Sequence, residues 1–389
     1  MKAATGTVCS RPVILFIPVS GPQGAGEFYR ALTIAHACRA RHPGWDLHIC
    51  VSRDADVEKP GGLGYHTLRD SPTRDTDGVE RIMREVRPDL VIFDSTLRQR
   101  QLKICRKLGV AKVVYVSSRA SSRRRGFGLR KLRALDEHWM ITPPAEQRLT
   151  HRERLLARVN RRLQLRFFST LLPPDAPDRA LEAVDRAGLP REGHALFVSG
   201  GGGGMVDGEP VDRTFQLAAR RFHAATGHPT LLVAGPLSSV PLESDPLRLE
   251  VRSMCPGDLA TMIARAALVV SGGGSLVQQT LAQGRPLLAV PAGGSDQPAR
   301  LAKLAREEVL QTCATRSEVM ASKAATLLQD QDAQSNLVAR ARALGFRNDM
   351  PKVVSAMQQL LAIADFGKVD PRSSDGTPSS TAGSGGEGD

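Results

Sequence analysis

Aromatic residues are scarce: Phe, Trp and Tyr make up 4% of 389 residues. Any core must therefore be built from Leu, Val, Ala and Ile. The six cysteines (Cys9, Cys38, Cys50, Cys105, Cys255, Cys313) show no CxxC spacing. That excludes a zinc ribbon or a thioredoxin-like pair and points to free thiols in a reducing compartment. No apolar run approaches the ~20 residues of a spanning helix, and MKAATGTVCSRP lacks the apolar core of a secretory leader. A cytoplasmic protein is the expectation. His36, His42 and His48 are not at ligand spacing, so neither metal nor cofactor is expected. His194, His223 and His228 read as solvated loop or helix-end residues. Acid is short relative to base: 40 Asp and Glu face 53 Lys and Arg, for a net charge of +13. Such an excess suits a polyanion, an anionic membrane surface or a phosphorylated ligand. An arginine-rich genome explains it equally well.

What is present is alternation. VILFIPV from Val13, LHICV from Leu47, PDLVIFDS ending near Asp94 and AKVVYVSS are short apolar runs, separated by helical patterns after Phe28, over 77–86 and over 97–108. A second series begins at Ala195: ALFV, PTLLVAGP, LVVSGGG and RPLLAVPAGG alternate with helical segments, and a last helix covers 353–363. This order predicts α/β architecture with largely parallel sheets. The proline- and charge-rich stretch LLPPDAPDRALEAVDRAGLPREG marks the boundary. The tail 366–389 is nearly without apolar residues and reads as disordered.

Three glycine-rich loops follow strands: GPQGAGE at 21–27, SGGGGG at 199–204 and SGGGS at 271–275. Glycine lets backbone amides approach a ligand, and a helix N-terminus adds unpaired N–H donors, so a phosphate or pyrophosphate fits there. Close strand–helix packing would use the same glycines. No GK[ST] follows either C-terminal run, and neither continues as GxGxxG with an acid ending a second strand. Nucleoside-triphosphate hydrolysis and nicotinamide binding are thus poorly supported.

Ser271, Gly272, Gly273, Ser275, Gln279, Gly284, Pro286, Pro291, Asp296 and Gln297 together resemble a pattern of GT-B glycosyltransferases. The nearest group contains the lipid II N-acetylglucosaminyltransferase and the UDP-glycosyltransferases; related sugar-nucleotide hydrolases share the pattern. The resemblance implies two Rossmann-like αβα domains facing a cleft, and transfer of a sugar from a nucleoside-diphosphate sugar to a hydroxyl acceptor, lipid-linked in some relatives. It implies that Gly201, Gly202 and the loop Ser271, Gly272, Gly273, Gly274 and Ser275 meet the donor diphosphate, that Gln279 reaches the ribose, and that Asp296 and Gln297 contact the sugar. Gln279 stands where the group usually has an acid, and Ser271 where it often has histidine. On the acceptor side the pattern covers Gly24, Gly26 and Arg30, with Glu27 in a histidine's place. Glu27 is then the first candidate base and Asp94 the second; a carboxylate at a helix start and a capping aspartate are their structural readings. A hydrolase or epimerase of the same shape, and an inactive binding or partner subunit, remain rivals.

The expected domains are 11–175, with a basic segment at 119–166, and 190–350, followed by a helix at 351–365 that folds back toward the first domain. In the basic segment Leu155, Leu156, Val159 and Leu163 read as one helical face among arginines. Arg123, Arg124 and Arg125 are the candidate contacts to the inner face of the plasma membrane, against a purely solvated face. No stacking aromatics interleave with the basic residues, so nucleic acid is the weakest partner.

Overall fold

The computed structural model describes residues 11–20, 26–55, 57–173, 182, 184–185, 188–201, 204–235, 237–252, 254 and 256–365. Gly24, Gly202, Cys9, Cys255 and the tail 366–389 lie outside the described residues.

Seven parallel strands form the first sheet: β1 (Val13–Pro18), β2 (Asp46–Ser52), β3 (Gly64–Leu68), β4 (Leu90–Asp94), β5 (Lys112–Ser117), β6 (Glu137–Ile141) and β7 (Gln164–Phe168), in the order β3-β2-β1-β4-β5-β6-β7. The second half adds β8 (Ala195–Val198), a short hairpin of β9 (Met205–Val206) and β10 (Glu209–Pro210), then β11 (Thr230–Val233), β12 (Arg248–Val251), β13 (Leu268–Gly272), β14 (Leu287–Val290) and β15 (Gln311–Thr312). Its main sheet is again parallel, in the order β12-β11-β8-β13-β14-β15. The chain thus holds two Rossmann-like αβα units.

Continuous apolar runs make these strands because both faces of each sheet are covered. Alternate residues serve opposite layers: Ile14 and Phe16 join one buried cluster and Leu15 and Ile17 another, as Leu196 and Val198 divide from Ala195 and Phe197. Local signals set the helix ends. Asp75 accepts from the Gly78 N–H to open helix Thr76–Val86, and Gly227 at φ 64 closes Val211–Thr226.

The basic segment departs from the expected long amphipathic helix. It breaks into helices Ala120–Gly126, Leu129–Leu132 and His151–Ala157, with β6 between them and β7 after. Leu156 and Leu163 pack with Phe127, Leu132 and Met140, whereas Leu155 and Val159 are exposed. Past Ala157 the chain runs instead into β7, whose Leu165 and Phe167 pack on the same cluster as Leu156 and Leu163.

The final helix, Met350–Asp365, belongs to the first unit's core. Val353, Met357 and Leu360 pack with Phe28, Ala31 and Cys38 from helix Gly26–Arg41. Buried Asp349 anchors its start: Oδ2 accepts from the Ser169 N–H at 2.8 Å, just past β7. Thr170 Oγ1 donates to the Gln278 carbonyl at 3.3 Å, and Gly345 lies beside Pro144. The carboxyl end of β7 therefore abuts the second unit at helix Ser275–Ala282, and the segment after β6 abuts it at Gly345.

Candidate active site

In each sheet the chain builds outward in one direction and then crosses back to the other side of its first strand. The reversals fall between β1 and β4 and between β8 and β13. At such points the loops diverge, and open α/β sheets take ligands beside them at the carboxyl ends of the strands. Glu27, Arg30 and Asp94 lie at the first reversal, and the described glycines of the two C-terminal loops at the second.

At the second reversal, two glycine loops meet. They divide into packed and open positions. A Cβ on Gly272 would lie 2.5 Å from the Ser199 carbonyl oxygen, and one on Gly204 would lie 2.6 Å from the Ala292 oxygen. A Cβ on Gly273 would press on Gln297 Oε1 at 2.9 Å. These glycines serve close packing. Gly201 and Gly274 instead have nothing within 4 Å of an added Cβ, and the same holds for Gly200, at φ 103. Gly274 directly precedes helix Ser275–Ala282 and no side chain caps its first turn. The first turn of that helix is thus left without a side-chain cap next to a glycine whose own Cβ position is open.

The other C-terminal candidates are only partly drawn together. Ser271 is fully buried and its hydroxyl donates to the Gly272 carbonyl at 3.2 Å, so Ser275, which is exposed, is the loop's outward hydroxyl. Gln279 is half-buried one turn along the helix. Gln297 turns inward, its Oε1 accepting from the Ala292 N–H at 2.6 Å. Asp296 is exposed and paired with Arg300, whose guanidinium also donates to the Gly273 carbonyl. Arg300 was missed in the sequence; its i,i+4 spacing from Asp296 was the available signal.

At the first reversal, Arg30 Nε and Nη2 donate to Asp94 Oδ2 and Oδ1, both at 2.7 Å, in a bidentate pair. The side chains are 17% and 4% exposed. Burial pushes the Asp94 carboxyl above its ordinary value, against the pull of Arg30. Burial also opposes the charge on Arg30, but Asp94 and Glu27 outweigh it. Bidentate geometry with a guanidinium keeps the pair ionised. Both Asp94 oxygens are thereby engaged. Glu27, in the first turn of helix Gly26–Arg41, is less committed. Its Oε1 accepts from Ser95 Oγ at 3.3 Å and lies 3.8 Å from Arg119 Nη2. A Cβ on Gly26 would meet nothing within 4 Å.

Ser95 was not singled out in the sequence. Its φ of 61 is the left-handed region, sparse for serine and common where side chains are held for function. Its hydroxyl lies within bonding distance of both Glu27 and Asp94, and its carbonyl accepts from Arg125. The serine after a strand-ending aspartate was a weak signal.

Two sequence readings are corrected. Arg123 is no outward contact: it forks onto Glu153 at 2.8 Å through two nitrogens, donates to the Glu146 and Arg148 carbonyls, and lies over the Phe167 ring. Arg124 and Arg125 are exposed. His194 is not solvated but 1% exposed, and burial drives its pKa down to about 4. Among the described residues no three His, Cys, Asp or Glu side chains converge as a metal site, and no helix is long and apolar enough to cross a membrane.

No protein-family profile and no curated protein matches the sequence. Solved structures do match it. The spinosyn forosaminyltransferase SpnP is 16% identical, with a TM-score of 0.61 over 91% of this chain and 100% of that one. Phytolacca americana UGT2, complexed with UDP-2-fluoroglucose and pterostilbene, is 13% identical, with a TM-score of 0.58 over 90% and 100%. Acinetobacter baumannii MurG is 14% identical, with a TM-score of 0.54 over 90% and 99%. The chain has the GT-B fold along nearly its whole length.

Proposed function

We propose that this protein transfers a sugar from a nucleoside-diphosphate sugar to a hydroxyl acceptor. The observation that carries the proposal is the open ground around Gly200, Gly201 and Gly274 at the second reversal, together with the uncapped start of helix Ser275–Ala282. Backbone N–H donors there match a diphosphate whose charge grows as the glycosidic bond breaks. Solved structures of the same fold that span this chain include one complexed with a UDP-sugar analogue, which supports a nucleotide sugar as donor.

The acceptor hydroxyl needs a base. Glu27 is the assignment, because Asp94 already gives both oxygens to Arg30. Asp94 and Arg30 then form a pair beside it, and with Asp94 already held by Arg30 the single Ser95 hydroxyl proton goes to the Glu27 carboxylate. The acceptor proton passes to Glu27 as the hydroxyl oxygen attacks the anomeric carbon and the diphosphate leaves. Ser275 contributes a hydroxyl to the diphosphate and Gln279 amide bonds to the ribose.

Calorimetric titration of the full chain with UDP tests the donor site; no heat with UDP or any other common nucleoside diphosphate would remove the proposal. Nucleotide release from a panel of nucleotide sugars, with and without a lipid extract, then separates transfer from hydrolysis.

A further inference from the structure

The rim of the first reversal is strongly basic. Arg98 follows β4; Arg119, Arg124, Arg125 and Lys131 follow β5. None of Arg98, Arg124, Arg125 and Lys131 has an acidic partner among the described ion pairs, and Arg119 reaches only Glu27, at 3.8 Å, with its side chain 77% exposed. Ser95 ties two of the guanidiniums to one place: its carbonyl takes Arg125, and its hydroxyl reaches Glu27, which Arg119 approaches. Arg125 donates to the Ser95 carbonyl and Arg98 to that of Thr73 at 3.1 Å. Burial, with Arg125 and Arg98 close by, lowers the pKa of Lys131. The carboxylates on the packed elements are Glu27 and Asp94, with Asp70, Asp75 and Asp77 on the loop that Arg98 reaches; Asp94 is consumed by Arg30, Asp77 by Arg100, Asp70 by Arg74, and Asp75 caps its own helix, which leaves Glu27. Like charges crowded around one carboxylate repel, at a cost that a bound anion would relieve. Arginine forks suit phosphate oxygens in particular.

We propose that these cations form a phosphate-receiving subsite on the acceptor side, so that the acceptor is a phosphate- or diphosphate-bearing alcohol whose hydroxyl is presented to Glu27. The inference rests on the glycosyltransferase reading and names its acceptor class. Arg119 reaches Glu27 and Arg125 reaches Ser95, so an anionic group held by them sets the distance from the acceptor's phosphate to its reacting oxygen.

The probe is inorganic pyrophosphate, titrated into the full chain with and without saturating UDP. Pyrophosphate should bind the UDP-saturated protein. Arg119→Ala and Lys131→Ala, both at solvent-accessible positions, should each weaken that binding about tenfold, the scale of one charge-assisted contact. UDP affinity should change less than twofold, and unchanged Tm values confirm the fold. No pyrophosphate isotherm in the presence of UDP would overturn the subsite. Equal loss of UDP affinity in both variants would also overturn it, by assigning the cations to the donor. Phosphatidylglycerol vesicles form the last arm: vesicle binding without pyrophosphate binding would make the patch a membrane contact and reject the inference. Failure of the donor reading shows separately, as a missing UDP isotherm, while the effect of Arg119→Ala on pyrophosphate still decides the subsite.

Discussion

Glu27 and Asp94 have the same functional group and different surroundings, which separates their variants. Glu27→Gln should lower turnover about 100-fold or more while UDP affinity stays, since a base acts only in the chemical step. Asp94→Asn should instead lower Tm, because it strands buried Arg30; breaking such a pair costs about 3–5 kcal/mol. Unchanged melting of Asp94→Asn together with a large turnover loss would move the base to Asp94. Two buried histidines predict acid sensitivity. His138 is held down to about 3 and His194 to about 4, chiefly by burial. Between those values and the ordinary 6.5 the unfolded chain binds more protons, so stability must fall as pH drops through that window. By pH 5 the loss should reach about 2 kcal/mol per histidine. Denaturant midpoints at pH 7 and pH 5 check it, and His138→Gln should reduce the slope.

Among loops and helices, the division of glycines into packed and open gives a sharper pair of variants than the motif alone. Gly274→Asp places a carboxylate in open space at the helix start and should weaken UDP binding roughly 100-fold with little change in Tm. Gly272→Ala drives a Cβ against the Ser199 carbonyl at 2.5 Å and should cost about 1–3 kcal/mol by overpacking. The reverse pattern, with Gly274→Asp unfolding the protein and leaving UDP binding intact in what folds, would refute the assignment of the open ground. Gly273→Asp, which the motif recommends, would confuse the two effects, because Gln297 and Leu301 stand in its way. In the basic segment, Arg123→Glu should destabilise the first unit, since Glu153 and two carbonyls lose their donor. Arg124→Glu, at an exposed position, should leave melting unchanged.

At the level of the whole molecule, the two units are not separable where the linker would suggest. Helix Met350–Asp365 follows the second unit in the chain and completes the core of the first. A fragment of 190–365 would carry Val353, Met357 and Leu360 uncovered, and should self-associate in sedimentation. Deleting 350–365 from the full chain should lower the first unit's Tm, because Phe28, Ala31 and Cys38 lose their cover. A cooperative, undiminished melt of that truncation would show the helix to be dispensable.

The sequence by itself determined the alternation of strand and helix, the parallel sheets and the glycine loops after β8 and β13, because these depend on local apolar runs and on residues that tolerate close backbone approach. It also brought Glu27, Arg30 and Asp94 to notice as separate candidates. Only the tertiary structure decided that Arg30 closes on Asp94 across 64 positions, that Ser95 joins Glu27 to them, and that Arg123 turns inward while Arg125 faces the site. It also decided that LTHRERLLARVNRRLQLRFF ends in β7: the helical spacing of its leucines is a short-range signal, and a free sheet edge that accepts a strand exists only once the rest of the sheet has formed. Which of several arginines meets a carboxylate is likewise set by strand order, and no periodicity along the chain encodes that.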